Sequence, residues 1–378
     1  MSNTTPEKTK PRVSVRFAAL DPYVERNIPS SAAFKTNGGD RYRWGTGDTY
    51  PDYLLDLYNR SSTLRACIDG CVDYIAGDRV SLLRDGEEVK LLNEKDNPRD
   101  IVRLLGAQLK RVGGFAVQVV RDYTGAIRNV YSIDLRYLRT NEDNDVFWYS
   151  EKWGKANPRP KVMPAFIPFT QDQWNDLKPD ARDENASSIL FYKERRESVY
   201  PMPCYLASIP ACETEANIDD FNLNGLENGF AASAIVAFTD GVPDDEQQDE
   251  IERLANEKFS GHQNALRIMF AFCNDKDHAP IVQQFDVKDF GDRFKAVTET
   301  IQRKIATAFR ANLNIFGVPT ESNGFNAEEY DSAFKLFNRT QVQPAQRAII
   351  DAFTKIYGEP VLTIEPFSLD GPDANTLQ

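Results

Sequence analysis

The stretch DVKDFGDRFKAVTETIQRKIATAFRAN, Asp286–Asn312, decides how the chain is read. Val287, Phe290, Phe294, Val297, Ile301, Ile305, Phe309 and Leu313 follow one another at steps of three and four residues. That spacing repeats an apolar face with the helical period and predicts one helix. At about 1.5 Å per residue it would run about 40 Å, more than a small core needs. Gly317-Val318-Pro319 breaks the pattern. It restarts at Asn326, with Glu329 three residues later in the arrangement of a capping box. A second helix then runs to Gly358 with Pro344 inside it, where the missing N–H kinks a helix. Gly317, Pro319 and Pro344 are therefore the hinge candidates. A long helix, a short loop and a kinked long helix make a mechanical or assembly element rather than a catalytic one.

Composition bounds the rest. The 378 residues suffice for two or three domains with their own cores. Apolar residues are 41% and charged residues 27%, in the globular range. A net charge of −12 argues against whole-molecule attraction to DNA or to an anionic membrane. No apolar run is long enough to span a bilayer, and the N-terminus lacks the apolar core of a signal peptide. Five scattered cysteines read as reduced thiols of a cytoplasm-like compartment.

In chain order, residues 1–50 carry few periodic apolar positions and a basic excess. They read as an arm, mobile alone or ordered by a neighbouring subunit. Pro51–Ala76 reads as one helix, Arg79–Leu83 and Val89–Leu92 as a hairpin about Asp85-Gly86, and Asn97-Pro98 opens a helix to Val112. Strands follow over Phe115–Arg121, Ile127–Arg139, Val146–Trp153, Met163–Phe169 and Ile189–Tyr192. After Pro201-Met202-Pro203 comes a helical segment to Asn228-Gly229 with five acids (Glu213, Glu215, Asp219, Asp220, Glu227) and no base. A β-α-β-β insertion fills 232–285, and Pro360–Phe367 reads as a closing strand. The acidic run is either a solvated face or the complement of Asp286–Asn312, which has six bases against four acids. Packed together, the two helices would set register and partner choice between neighbours.

Chemistry is hard to find. His262 and His278 have no Cys or second His at ligand spacing, and Cys67 and Cys71 share a helix face with no further ligand pair. No phosphate loop, dinucleotide fingerprint or nucleophile elbow is present. No enzyme activity, cofactor or metal is expected.

The order of parts resembles the portal proteins of tailed bacteriophages, those of long-tailed phages above all. The resemblance rests on Tyr200-Pro201-Met202-Pro203-Cys204-Tyr205, the acidic helix to Asn228-Gly229-Phe230, the strand Ala232–Phe238 and Lys258-Phe259-Ser260-Gly261. It continues through Asp286-Val287, Arg293–Phe309, Phe316-Gly317-Val318-Pro319, Gly324–Tyr330, Phe334–Phe337 and Gln343-Pro344, so that it covers residues 50 to 360. It implies an α+β portal fold with little or no crown. Its parts would be an arm (1–50), a mixed α/β wing (51–200), a stem helix (201–231), a β-α-β-β clip (232–285) and a second stem helix (286–313). A tunnel loop (314–326), a kinked wing helix (327–358) and a C-terminal strand and tail (359–378) would follow.

What the resemblance implies for function is a ring, usually of twelve copies, at one vertex of a capsid. DNA would be packaged and ejected through it, and Thr320, Glu321, Ser322, Asn323, Gly324 and Phe325 would face that double-stranded DNA without reading its sequence. Asp240, Asp244, Asp245, Glu246 and His278 would meet the terminase large subunit and later the head–tail adaptor. The major capsid protein or a scaffold would surround the ring, with assembly in the host bacterial cytoplasm, no membrane involved and the virion as destination. The alternatives are another oligomeric head–tail connector or scaffold, and an enzyme with an unrecognised carboxylate site.

Overall fold

A computed structural model of the chain describes residues 14–17, 32–36, 39–155, 158–227, 234–238, 244, 246–250, 253, 268–272, 288–317 and 327–368. The chain divides into two compact units. One takes Met1–Asn27 and Asn217–Val297, the other Ile28–Ala216 and Thr298–Gln378.

In the smaller unit β1 (Ser14–Phe17) pairs antiparallel with β13 (Ile268–Phe272), and β13 pairs in parallel with β12 (Ala234–Phe238). Parallel neighbours need a crossover, and residues 246–250 between them are helical. The sheet expected of the insertion alone thus draws one strand from the N-terminal segment. Ile281–Phe285, read as a strand, lies outside the described residues.

The larger unit opens with β2 (Ala33–Lys35) and β3 (Tyr42–Trp44), followed by α1 (Tyr50–Arg60) and α2 (Ser62–Ala76). The single helix read over Pro51–Ala76 is two. Ser61 takes an extended conformation, and its Oγ accepts the Leu64 N–H at 3.2 Å. One cap is enough to restart a helix whose apolar spacing continues on both sides. β4 (Arg79–Arg84) and β5 (Glu87–Glu88) flank Asp85-Gly86, both at positive φ as a two-residue hairpin turn requires.

In α3 (Pro98–Val112) Asn97 and Asp100 form a reciprocal capping box, and Gly113 ends the helix in the left-handed region. β6 (Gly114–Arg121) lies between β7 (Ile127–Ile133) and β11 (Ser187–Lys193). β8 (Leu138–Thr140), β9 (Val146–Tyr149) and β10 (Lys161–Pro164) make a second antiparallel sheet. The short helices α4 (Gln171–Asp176) and α5 (Pro179–Asn185), absent from the sequence reading, precede β11. Then come α6 (Ile209–Glu227), α7 (Lys288–Ala308), α8 (Ala327–Phe337) and α9 (Gln343–Tyr357). β14 (Leu362–Glu365) closes on β4, with Leu362 opposite Leu82 and Ile364 opposite Val80.

Residues 41–50, read as part of the arm, are ordered by the chain itself. Asp48, at φ +63°, accepts from Arg139 Nε at 2.5 Å, from Arg41 at 2.8 Å and from the Trp44 N–H at 2.8 Å. The Arg139 side chain is wholly buried, and its remaining N–H groups donate to the carbonyls of Asp48, Arg136 and Leu138. Trp44 stacks on Tyr200 at 4.4 Å, and Trp153 lies under both guanidinium groups, 4.6 Å from Arg41 and 5.1 Å from Arg139. A buried pair satisfied this fully adds little beyond an apolar pair of the same shape, but removing one member strands the other. Arg139→Met is therefore expected to lower unfolding free energy in urea by about 3–5 kcal/mol, whereas Arg41→Met costs about 1 kcal/mol.

Candidate functional site

Of the residues read as a DNA-facing loop, Thr320, Glu321, Ser322, Asn323, Gly324 and Phe325 lie outside the described residues, as does Pro319. What the structure does describe is the base from which that loop leaves and to which it returns.

The departing end is the 3-10 turn Leu313–Phe316. Gly317 stops it at φ +71°, donating its N–H to Asn314 at 3.2 Å. An L residue reaches that conformation only with strain. Tyr74 of α2 donates its hydroxyl to the Ile315 carbonyl at 2.7 Å. Burial pushes this phenol well above its ordinary pKa, so it stays a donor at every working pH. The Tyr74 ring also meets the returning end, with centroids 5.4 Å from Phe334 and 5.7 Å from Phe337, and the segment after β14, 4.9 Å from Phe367. Phe316 closes the set edge-on to Phe337 at 5.5 Å. Four chain segments thus share one aromatic base. Tyr74 was missed because its partners, Ile315 and the three phenylalanines, lie far along the chain.

Beyond the returning end, the kink expected at Pro344 takes a specific form. α8 and α9 are joined by a π turn, Asn338–Val342, in which the Gln343 N–H reaches back five residues to Asn338. In an α register the Pro344 ring would meet the carbonyl four residues before it; the wider turn accommodates it.

Two acids of the acidic helix have partners that neither reading named. Glu215, buried on α6, accepts from the hydroxyls of Ser61, Ser62 and Thr63 and from the Thr63 N–H, covering the start of α2. Glu213 lies 3.5 Å from Arg60. These two acids therefore bind the α1–α2 junction, and a carboxylate at a helix N-terminus suits both its orphan N–H groups and its dipole. α7 buries Ile301, Ile305 and Ala306 and exposes Arg303 and Lys304, and the turn after it buries Phe309 and exposes Arg310.

Of the docking candidates, Asp240, Asp245 and His278 lie outside the described residues. Asp244 caps the helical turn after it, accepting the Gln247 N–H at 2.9 Å. Glu246 is exposed. Among the described residues no group of His, Cys, Asp and Glu could hold a metal ion. No helix there is long and apolar enough to cross a membrane. Burial raises the thiols of Cys71 and Cys212 to about 12 and that of Cys204 to about 11, which leaves them unreactive at neutral pH.

The base is packed without slack. A Cβ on Gly70 would come within 2.6 Å of the Phe316 ring. Gly70→Ala is expected to cost about 1–3 kcal/mol by overpacking. Amide exchange of residues 313–317 should quicken more than that of α3; uniform quickening would show that Gly70 does not hold the base.

No protein-family model and no curated protein matches the sequence. Solved structures do match the fold. A chain in the neck of an empty gene transfer agent particle, computed with C6 symmetry, aligns with a TM-score of 0.54 at 14% identity over 86% of each chain. One in the neck of the native particle, computed with C12 symmetry, aligns at 0.51 and 14% identity over 86% of this chain and 87% of that one. An HK97-family phage portal protein from Corynebacterium diphtheriae aligns at 0.44 and 11% identity over 82% of this chain and 93% of that one. The chain has the α+β fold of the gene transfer agent neck chains.

Proposed function

We propose that this chain is a portal protein: a subunit of a closed ring at one capsid vertex, without catalysis of its own. The observation that carries the reading is the likeness over 86% of both chains to a neck chain of a particle that has rotational symmetry. A ring closes through a heterologous contact, in which different faces of one subunit meet its two neighbours.

On this reading residues 318–326 face the DNA, held from both ends by the Tyr74 base. A channel of this kind must not grip its cargo, since phosphate neutralisation by Lys and Arg gives binding that would stall translocation. The chain's net charge of −12 suits that requirement. The unit with Asn217–Val297 would be the clip that meets the packaging motor and then the head–tail adaptor. Glu246 is the better probe of that docking, because Asp244 is also a helix cap. The ring would be a dodecamer, filled in the host cytoplasm and retained in the virion. Another oligomeric connector of the same fold is the second reading.

Negative-stain microscopy of the purified chain tests the proposal. The expected result is a ring with an axial hole wide enough for duplex DNA, with native mass spectrometry giving a single cyclic stoichiometry. A monomer or dimer at every concentration tried, and equally in the presence of capsid protein, would overturn it.

A further inference from the structure

Lys110 stands in the last turn of α3 and is only 4% exposed. Its ammonium donates to the Gln341 carbonyl at 3.4 Å, and among the described residues no carboxylate pairs with it. The nearby Cys71 and Cys204 are neutral thiols at neutral pH and supply no counter-charge. The C-terminal dipole of α3 favours a cation there. Even so, a buried charge without a partner ion costs free energy that an apolar side chain of equal length would not.

Gln341 lies within the π turn Asn338–Val342. Pro344 contributes no N–H, which leaves the carbonyl four residues before it, that of Thr340, without its helical donor beside the Gln341 carbonyl that Lys110 meets. Thr340 turns its hydroxyl back to Leu336 at 2.8 Å and supplies nothing forward. Lys110 brings a donor from outside the helix. Downstream, Gln346 pins the first turn of α9 by donating to the carbonyls of Tyr74 and Ile75 at 3.4 and 3.1 Å. The two sides of the turn are thus held by different groups.

We propose that Lys110 is the positioning residue that keeps the helix from Ala327 to Tyr357 in its π register. It thereby sets the rotation of Ala327–Phe337 and the return of loop 318–326. Losing the extra residue of the turn would rotate α8 by about 100° and shift it by about 1.5 Å relative to α9. That would withdraw Phe334 and Phe337 from Tyr74. The consequence for the loop rests on the portal reading; the register of the helix does not.

Hydrogen exchange of the full chain, followed by mass spectrometry, tests this whether or not rings form. Failure of the ring experiment therefore leaves it standing, and its own failure leaves the ring. In Lys110→Met, exchange across 338–346 is expected to quicken about tenfold, as loss of one charge-assisted hydrogen bond implies, while 347–357 keeps its rate. Lys110→Arg, which retains a charged donor, should stay near the wild type. Unchanged exchange in Lys110→Met, or equal quickening through all of α9, would overturn the proposal.

Discussion

The hydroxyl of Tyr74 donating to the Ile315 carbonyl is the contact on which the rest of the larger unit's loop base depends. One side chain on α2 meets the turn at which the chain leaves for residues 318–326 and the helix on which it returns. Aromatic pairs in offset and edge-on arrangements add modest energy beyond their burial, about 0.5–1.5 kcal/mol each. Their larger effect here is geometric. The turn that ends at Gly317 and the helix that begins at Ala327 are both fixed to one ring cluster.

The same economy governs the buried charges. Glu215 spends its carboxylate on the start of α2, and Asp48 spends its own on two guanidinium groups and a backbone N–H. Each joins segments far apart in sequence: Arg139 lies 91 residues from Asp48, and Thr63 lies 152 from Glu215. Such partners fix one arrangement because any other leaves a charge unsolvated. For a subunit proposed to sit in a ring around moving DNA, a body locked in this way transmits load without rearranging.

Much of the fold was legible from local signals. Asn97-Pro98 with Asp100 and Gly113 marks both ends of α3, Asp85-Gly86 marks the hairpin, and the apolar steps through Ile301 and Ile305 mark the buried face of α7. What stayed hidden depends on distant partners. Ser61 divides a helix whose periodicity runs on unbroken. The acids Glu213 and Glu215 reveal their sign in the sequence, but not that their partners are Arg60 and the start of α2. Residues 41–50 look like an arm until Arg139 is placed beside Asp48. Pro344 announces a disturbance, yet a π turn supported by Lys110 is one of several ways to absorb it. Of the candidate site, the base was not readable, since the partners of Tyr74 come from segments more than two hundred residues along the chain.

The central claim is that the Tyr74 base presents residues 318–326 to DNA. It is tested most directly by placing a photoreactive amino acid at position 323 in particles assembled with DNA, with position 123 on the exposed turn between β6 and β7 as control. The account predicts crosslinks from position 323 to DNA, spread without sequence preference, and none from position 123. Crosslinks from position 323 to protein alone, in particles that contain DNA, would contradict it.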